Sequence, residues 1–316
     1  MARTPLALPA LLAGLALGGL VRPAAADDAA AASALLDAKA PTVVTVKFVV
    51  KMRHPQMGDQ ETNADARGVV VDASGLVMLG NDSLEPGGGM LRMMMRRRGG
   101  GDLVSTPMDF KVLFGSDAME HDAVLVARDS TLGLAFVQLV APEGALAAVD
   151  LAAGAEPKVG SLLVGVSRRS RGFDAAPVLG RVFVAGRVEK PRPMWSLDDA
   201  SSGLVGLPLY DAAGKVVGVP VQQRGVEGAD EGGMFGGQEA GLFLLPLDAV
   251  NRSVEQAKKR VPEAVAKAKA AKTDAAEAPK PDVPATTPDA PMTPDAPMTP
   301  DAPMPPDAPK APETPK

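Results

Sequence analysis

Hydrolytic or group-transfer chemistry needs a nucleophile, a base and something to orient the base, and this chain offers few side chains for those tasks. Among its 316 residues there is no cysteine and there are only two histidines, His54 and His121. The absence of cysteine excludes a thiolate nucleophile, a disulfide framework and any Cys-based zinc or iron–sulfur site. His54 stands in Lys51-Met52-Arg53-His54-Pro55, read as a loop after the first strand, and His121 in a polar turn before another; both are expected at the surface. Ser201 and Ser202 are hydroxyls close in sequence to Val205, and a Lys or Asp could serve as their base, but the run Asp198–Gly203 has the composition of an ordinary polar loop. The oddest segment is Glu85–Asp102, where Met90, Arg92, Met93, Met94, Met95, Arg96, Arg97 and Arg98 lie between two glycine runs. Methionines adapt to varied apolar surfaces and arginines fork onto carboxylates or phosphates. The segment therefore reads either as a partner-binding loop, for an acidic partner or an anionic lipid, or as a disordered insertion. Thioethers also suit Cu(I), but no cysteine or nearby histidine completes a site, so no metal and no cofactor are expected.

The rest of the chain must position whatever chemistry exists. It is 46% hydrophobic and 22% charged, with a formal net charge of −5, which argues against a nucleic-acid binder because phosphate affinity comes mainly from Lys and Arg. Residues 1–26 read as a signal peptide: Arg3, the apolar run Pro5–Leu20, then Ala24-Ala25-Ala26 before Asp27-Asp28. An uncleaved N-terminal anchor is the alternative. The expected destination is the periplasm, the cell envelope or the extracellular space. Residues 27–39 read as a linker. At the other end, 273–316, proline recurs at every third position from Pro288 to Pro315 within Thr-Pro-Asp-Ala-Pro-Met repeats. Polyproline II has three residues per turn, so these prolines share one edge, and at about 3.1 Å per residue the stretch spans on the order of 85 Å. It can bury no core and is expected to be a disordered tail, a spacer or a ligand for a proline-recognising partner.

Between these ends, short β-branched runs alternate with turn residues: Thr42–Val50, Gly68–Asp72, Leu76–Leu79, Phe110–Phe114, Ala123–Ala127, Ala135–Val140, Leu162–Ser167, Val178–Val188, Lys215–Val221 and Gly241–Leu245. Strands this short and frequent, with turns such as Asp72-Ala73-Ser74-Gly75, point to an all-β barrel or sandwich. Leu247–Arg260 carries Val250, Val254 and Ala257 on one helical face, and Pro262 is expected to break or kink that helix.

Four segments, in order, resemble the trypsin-like serine proteases of the HtrA/Deg type. Gly68–Asn81 resembles the strand–turn–strand leading to the catalytic histidine of that family. Val126-Ala127-Arg128-Asp129 with Leu134-Ala135 resembles the stretch around its aspartate. Gly206-Leu207-Pro208-Leu209 and Gly214–Val219 resemble the sequence after its serine, and Gly241–Pro246 the strand that ends its protease domain. The resemblance implies an all-β fold of two antiparallel six-stranded β-barrels over residues 40–246, followed by a C-terminal helical segment over 247–272; no PDZ-like domain is expected, because the proline-rich tail begins too soon after it. It also implies vacant catalytic roles. Asp82 stands where the family has histidine, Gly133 where it has aspartate, and Val205 in Gly203-Leu204-Val205-Gly206-Leu207-Pro208-Leu209 where it has serine. Acyl transfer needs a lone pair, a base and an orienting group, which valine and glycine do not supply. The backbone N–H groups of Gly203 and Val205 match the oxyanion site and would hold a carbonyl or carboxylate without cutting it. The resemblance further puts Trp195 at the cleft rim, capping the core or anchoring a partner, and Asp198 and Asp199 near the primary specificity pocket. The expected function is an exported pseudoprotease that binds a polypeptide or envelope protein. The alternative is an active endopeptidase with displaced catalytic residues.

Overall fold

The computed structural model describes residues 24–54, 58–85, 104–152, 154–198, 203–224 and 240–277. The first barrel comprises β1 (Val43–His54), β2 (Gly58–Asp72), β3 (Leu76–Gly80), β4 (Val104–Phe114), β5 (His121–Asp129) and β6 (Leu134–Leu139), closed in the order β1-β2-β3-β6-β5-β4. The second comprises β7 (Leu162–Arg168), β8 (Pro177–Val188), β9 (Met194–Leu197), β10 (Leu209–Tyr210), β11 (Val216–Arg224) and β12 (Ala240–Leu245), closed in the order β10-β11-β12-β9-β8-β7. Closure removes most unpaired sheet edges. Two closed six-stranded antiparallel barrels fit a trypsin-like fold.

The period of two in each strand decides where the cores lie. On β1, Val44, Val46, Phe48 and Val50 point into the first barrel, where they meet Val70, Val77, Leu79, Val112 and Val137. Residues of opposite parity, Val43, Val69, Leu76, Met78, Leu134 and Phe136, join a second core shared with the other barrel and the C-terminal helix. β3 and β6 are therefore buried on both faces, and they read as continuous apolar runs instead of alternating ones.

Helix α1 (Ala24–Lys39) occupies the segment expected to be a linker. Leu35 and Leu36 pack against the second barrel, and the Lys39 ammonium lies 5.3 Å from the ring centroid of Tyr210, which explains why the segment is ordered. The Ala24–Ala26 run expected to be a cleavage site forms the first residues of this helix, and 1–23 lie outside the described residues. Helix α2 (Leu247–Glu277) buries Val250, Val254 and Ala257 as expected but continues through Pro262. That proline is exposed, so water can take the carbonyl that loses its donor.

Other local expectations need correction. β2 begins ten residues before Gly68, because the polar stretch Gly58–Arg67 pairs residue for residue with β1. His54 is the last residue of β1, not part of a loop, and His121 opens β5 with its ring edge-on to Phe114 at 5.3 Å. Two strands carry no legible signal: β10 has two residues, and β9 follows two prolines. Among the described residues, no helix is long and apolar enough to cross a membrane. Helix α2 runs five residues past the expected boundary at 272, so 273–277 belong to it, and the rest of the proline-rich tail, 278–316, lies outside the described residues.

Candidate functional site

The segments holding Asp82, Gly133 and Val205 meet where the barrels touch. β3 ends at Gly80, and Asn81–Leu84 form one 3-10 turn that carries Asp82 on its exposed side. The Asn81 N–H donates to the Gly133 carbonyl at 2.8 Å, which ties this turn to the β5–β6 connection. The buried Asn81 side chain is held in turn: its Oδ1 accepts from Arg128 Nε at 2.7 Å, while Arg128 Nη2 pairs with Glu85 at 2.7 Å. Gly133 has φ +75°, a left-handed backbone that favours glycine, and its N–H donates to the Asp129 carbonyl at 2.8 Å.

The second barrel delivers Val205. A Cβ built on Gly80 would stand 2.6 Å from Val205 Cγ1, so this isopropyl group rests directly on the end of β3. Gly206 makes the approach closer still. Its φ is +79°, its N–H donates to the Pro220 carbonyl at 2.8 Å, and a Cβ there would lie 2.1 Å from the Gly80 nitrogen. No side chain larger than hydrogen fits at Gly206 without moving backbone.

Leu204 fixes the same turn from behind. Gly165 of β7 and Gly180 of β8 are direct cross-strand partners, and a Cβ on either would come within 2.7–2.8 Å of a Leu204 δ-carbon. The two missing side chains form the seat for Leu204, which is 2% exposed. Burying such a side chain is worth about 1.5–3 kcal/mol. The Leu207 N–H closes the turn onto the Leu204 carbonyl at 2.9 Å, and Ser167 Oγ donates to the Gly203 carbonyl at 3.1 Å. This apolar seat escaped the sequence reading. Its signal was the Leu between Gly203 and Val205 together with one glycine in each of two adjacent strands.

A cleft of about 620 Å³ opens beside this junction, within the range of ligand sites. Gly203, Leu204, Val205 and Ser83 line one end; Asp65, Ala66 and Arg67 of β2 form one wall; Ser167–Ser170 and Val178–Gly180 form the other. Arg168 bridges the barrels beneath it, donating from Nε to the Val43 carbonyl at 2.7 Å, from Nη2 to Ala40 at 2.6 Å and from Nη1 to Ala175 at 3.0 Å. Burial lowers its pKa from the ordinary arginine value, yet a guanidinium keeps its charge. In return, Arg67 Nε donates to the Arg168 carbonyl at 2.8 Å.

The remaining candidates lie elsewhere. Arg168 marks the β1 end nearest the second barrel, at Val43, and His54 ends the same 12-residue strand, about 36 Å away at strand rise. His121 opens β5 while Asp129 closes it near Gly133, a separation of about 26 Å on the same rise. Trp195 is 7% exposed with the Arg187 guanidinium 5.7 Å from its ring centroid, so it caps the core and offers no free anchor at a rim. Asp198 Oδ1 accepts the Phe183 N–H at 3.0 Å, a backbone cap on β8. Asp199, Ser201, Ser202 and the Met/Arg segment 86–103 lie outside the described residues. Among the described residues, no group of three or more His, Asp or Glu side chains could hold a metal ion.

No family model matches the chain, and its sequence is not significantly similar to any of the curated proteins compared with it.

Proposed function

We propose that this chain is an exported, catalytically inert relative of the HtrA-type serine proteases that acts by holding a polypeptide in the cleft between its barrels. The observation that carries this reading is the identity of the side chain on Gly80 at the barrel junction: Val205, a hydrocarbon with no lone pair to attack a carbonyl. Its neighbours support the same reading. Gly133 has no side chain with which to orient a base, and Asp82 is a carboxylate where the family resemblance implies an imidazole. Export is supported by the apolar run Pro5–Leu20 followed by three alanines. Binding is supported by a cleft of about 620 Å³ lined by Gly203 and Val205, whose resemblance to an oxyanion turn concerns backbone groups rather than the lost side chains.

The test is a fluorophosphonate probe applied to the full chain, beside a casein digestion, with an active serine protease as control. The expected result is no covalent adduct and no cleavage. Stoichiometric labelling of any serine would overturn the reading in favour of an endopeptidase whose working residues stand elsewhere in the sequence.

A further inference from the structure

The cleft has a charge that the whole chain does not. The protein carries a formal −5, yet the ionisable residues that line the cleft are Arg67, Arg168 and Arg169 against one carboxylate, Asp65. These four differ in what they have left to offer. Asp65 is half-exposed and pairs with Arg67 at 2.6 Å, so it neutralises one guanidinium. Arg168 directs three hydrogen bonds to carbonyl oxygens and, among the described residues, makes no ion pair, so its full charge stands at the cleft. Arg169 is exposed, and its guanidinium has no hydrogen bond or ion pair among the described residues. Two uncompensated positive charges in a concave site with low-dielectric walls focus the field there, even on an acidic protein.

The backbone of one wall suits an extended guest. β2 pairs with β1 from Gly58 to Val69, Lys47 opposite Asp65 and Thr45 opposite Arg67, but β3 joins its other side only from Gly68. Among the described residues, the Asp65–Arg67 edge that borders the cleft has no strand partner. An unpaired edge accepts an added strand through main-chain hydrogen bonds, with side chains alternating toward and away from the wall. We infer that the cleft selects an acidic, extended polypeptide, laid against the β2 edge with carboxylates directed at Arg169 and at the field of Arg168. Ser83 and Ser170, on the same lining, supply hydroxyls that can donate to those carboxylates. The inference rests on the proposed peptide-holding function and adds to it the chemical class of the guest.

The test measures fluorescence anisotropy of two labelled peptides with the full chain: Asp-Thr-Val repeats, and the same sequence with Asn for Asp. The Asp peptide should bind about tenfold or more tightly than the Asn peptide at ~20 mM salt, and most of that advantage should vanish at ~200 mM. Arg169→Glu should weaken the Asp peptide by about tenfold and remove most of its advantage over the Asn peptide, since an exposed cleft-lining guanidinium is replaced by a carboxylate. Equal binding of both peptides would overturn the acidic selectivity and leave peptide holding intact. Binding of neither would remove both. An Asp-peptide preference that survives Arg169→Glu unchanged would overturn the assignment to this cleft.

Discussion

Replacing Val205 with serine would put a hydroxyl on the end of β3, next to Gly80, without giving it a base. The expected outcome for V205S is therefore no fluorophosphonate adduct above that of the native chain, read by mass spectrometry of the intact protein. An adduct on the introduced serine would mean that an unassigned group activates it. Gly206 tests the geometry of the junction itself. Alanine there must adopt φ near +79°, at a cost of about 1 kcal/mol, and must also clear the Gly80 nitrogen, 2.1 Å from its Cβ. Gly206→Ala should lose at least about 3 kcal/mol of stability or fail to fold. The single tryptophan is buried in the second barrel, so its emission during urea unfolding measures this directly. A midpoint equal to the native one would contradict the close approach of the two backbones.

At the scale of elements, α2 is fastened to the first barrel at its β2–β3 turn. Asp72 accepts hydrogen bonds from Ser74 and pairs with Lys258 of α2 at 3.0 Å. These contacts, Ser74 first and Lys258 after it, lower the Asp72 pKa from 3.8 to about 2. A carboxylate more acidic in the folded than in the unfolded chain stabilises the fold above its unfolded pKa, and that contribution is lost as pH falls from about 4 through about 2. The turn is partly solvated, so the effect is no more than about 1 kcal/mol after screening. Asp72→Asn should lower the urea midpoint at about pH 6, and the gap from the native chain should close near pH 2. A gap independent of pH would assign the loss to packing. The same helix illustrates what sequence patterns convey. Val250, Val254 and Ala257 revealed its buried face because a 3.6-residue period is local. Pro262 does not break the helix, because whether a proline ends one depends on which side faces water, which is set by the partner it packs on.

For the whole molecule, the docking of one barrel on the other depends on polar struts as well as shared core. Arg168, from β7, holds the carbonyls of Ala40 and Val43, which lie at the start of the first barrel. Arg168→Met should orphan three buried carbonyls and cost about 3 kcal/mol. Arg168→Lys should recover only part of that loss, because an ammonium lacks the fork that reaches several acceptors. Full recovery by lysine would show that charge alone sets the barrels together. Most strands of both barrels were legible because β-branched runs punctuated by glycine turns are a local signal. The polar half of β2 was not. Asp59, Gln60 and Glu61 have no apolar alternation, and only the facing β1 makes them a strand.

The sequence alone determined which side chains exist: no thiol, two imidazoles, a valine between Leu204 and Gly206, and enough alternating strands for barrels. Composition cannot be undone by folding, so those statements needed no coordinates. Tertiary structure decided proximity. It brought Gly80, Gly133 and Val205 together from three distant segments, kept His54 and His121 at far ends of their strands, and seated Leu204 in the space left by Gly165 and Gly180. It also collected arginines from two barrels into one cleft on an acidic chain, because barrel closure and docking fix neighbours that lie about a hundred residues apart.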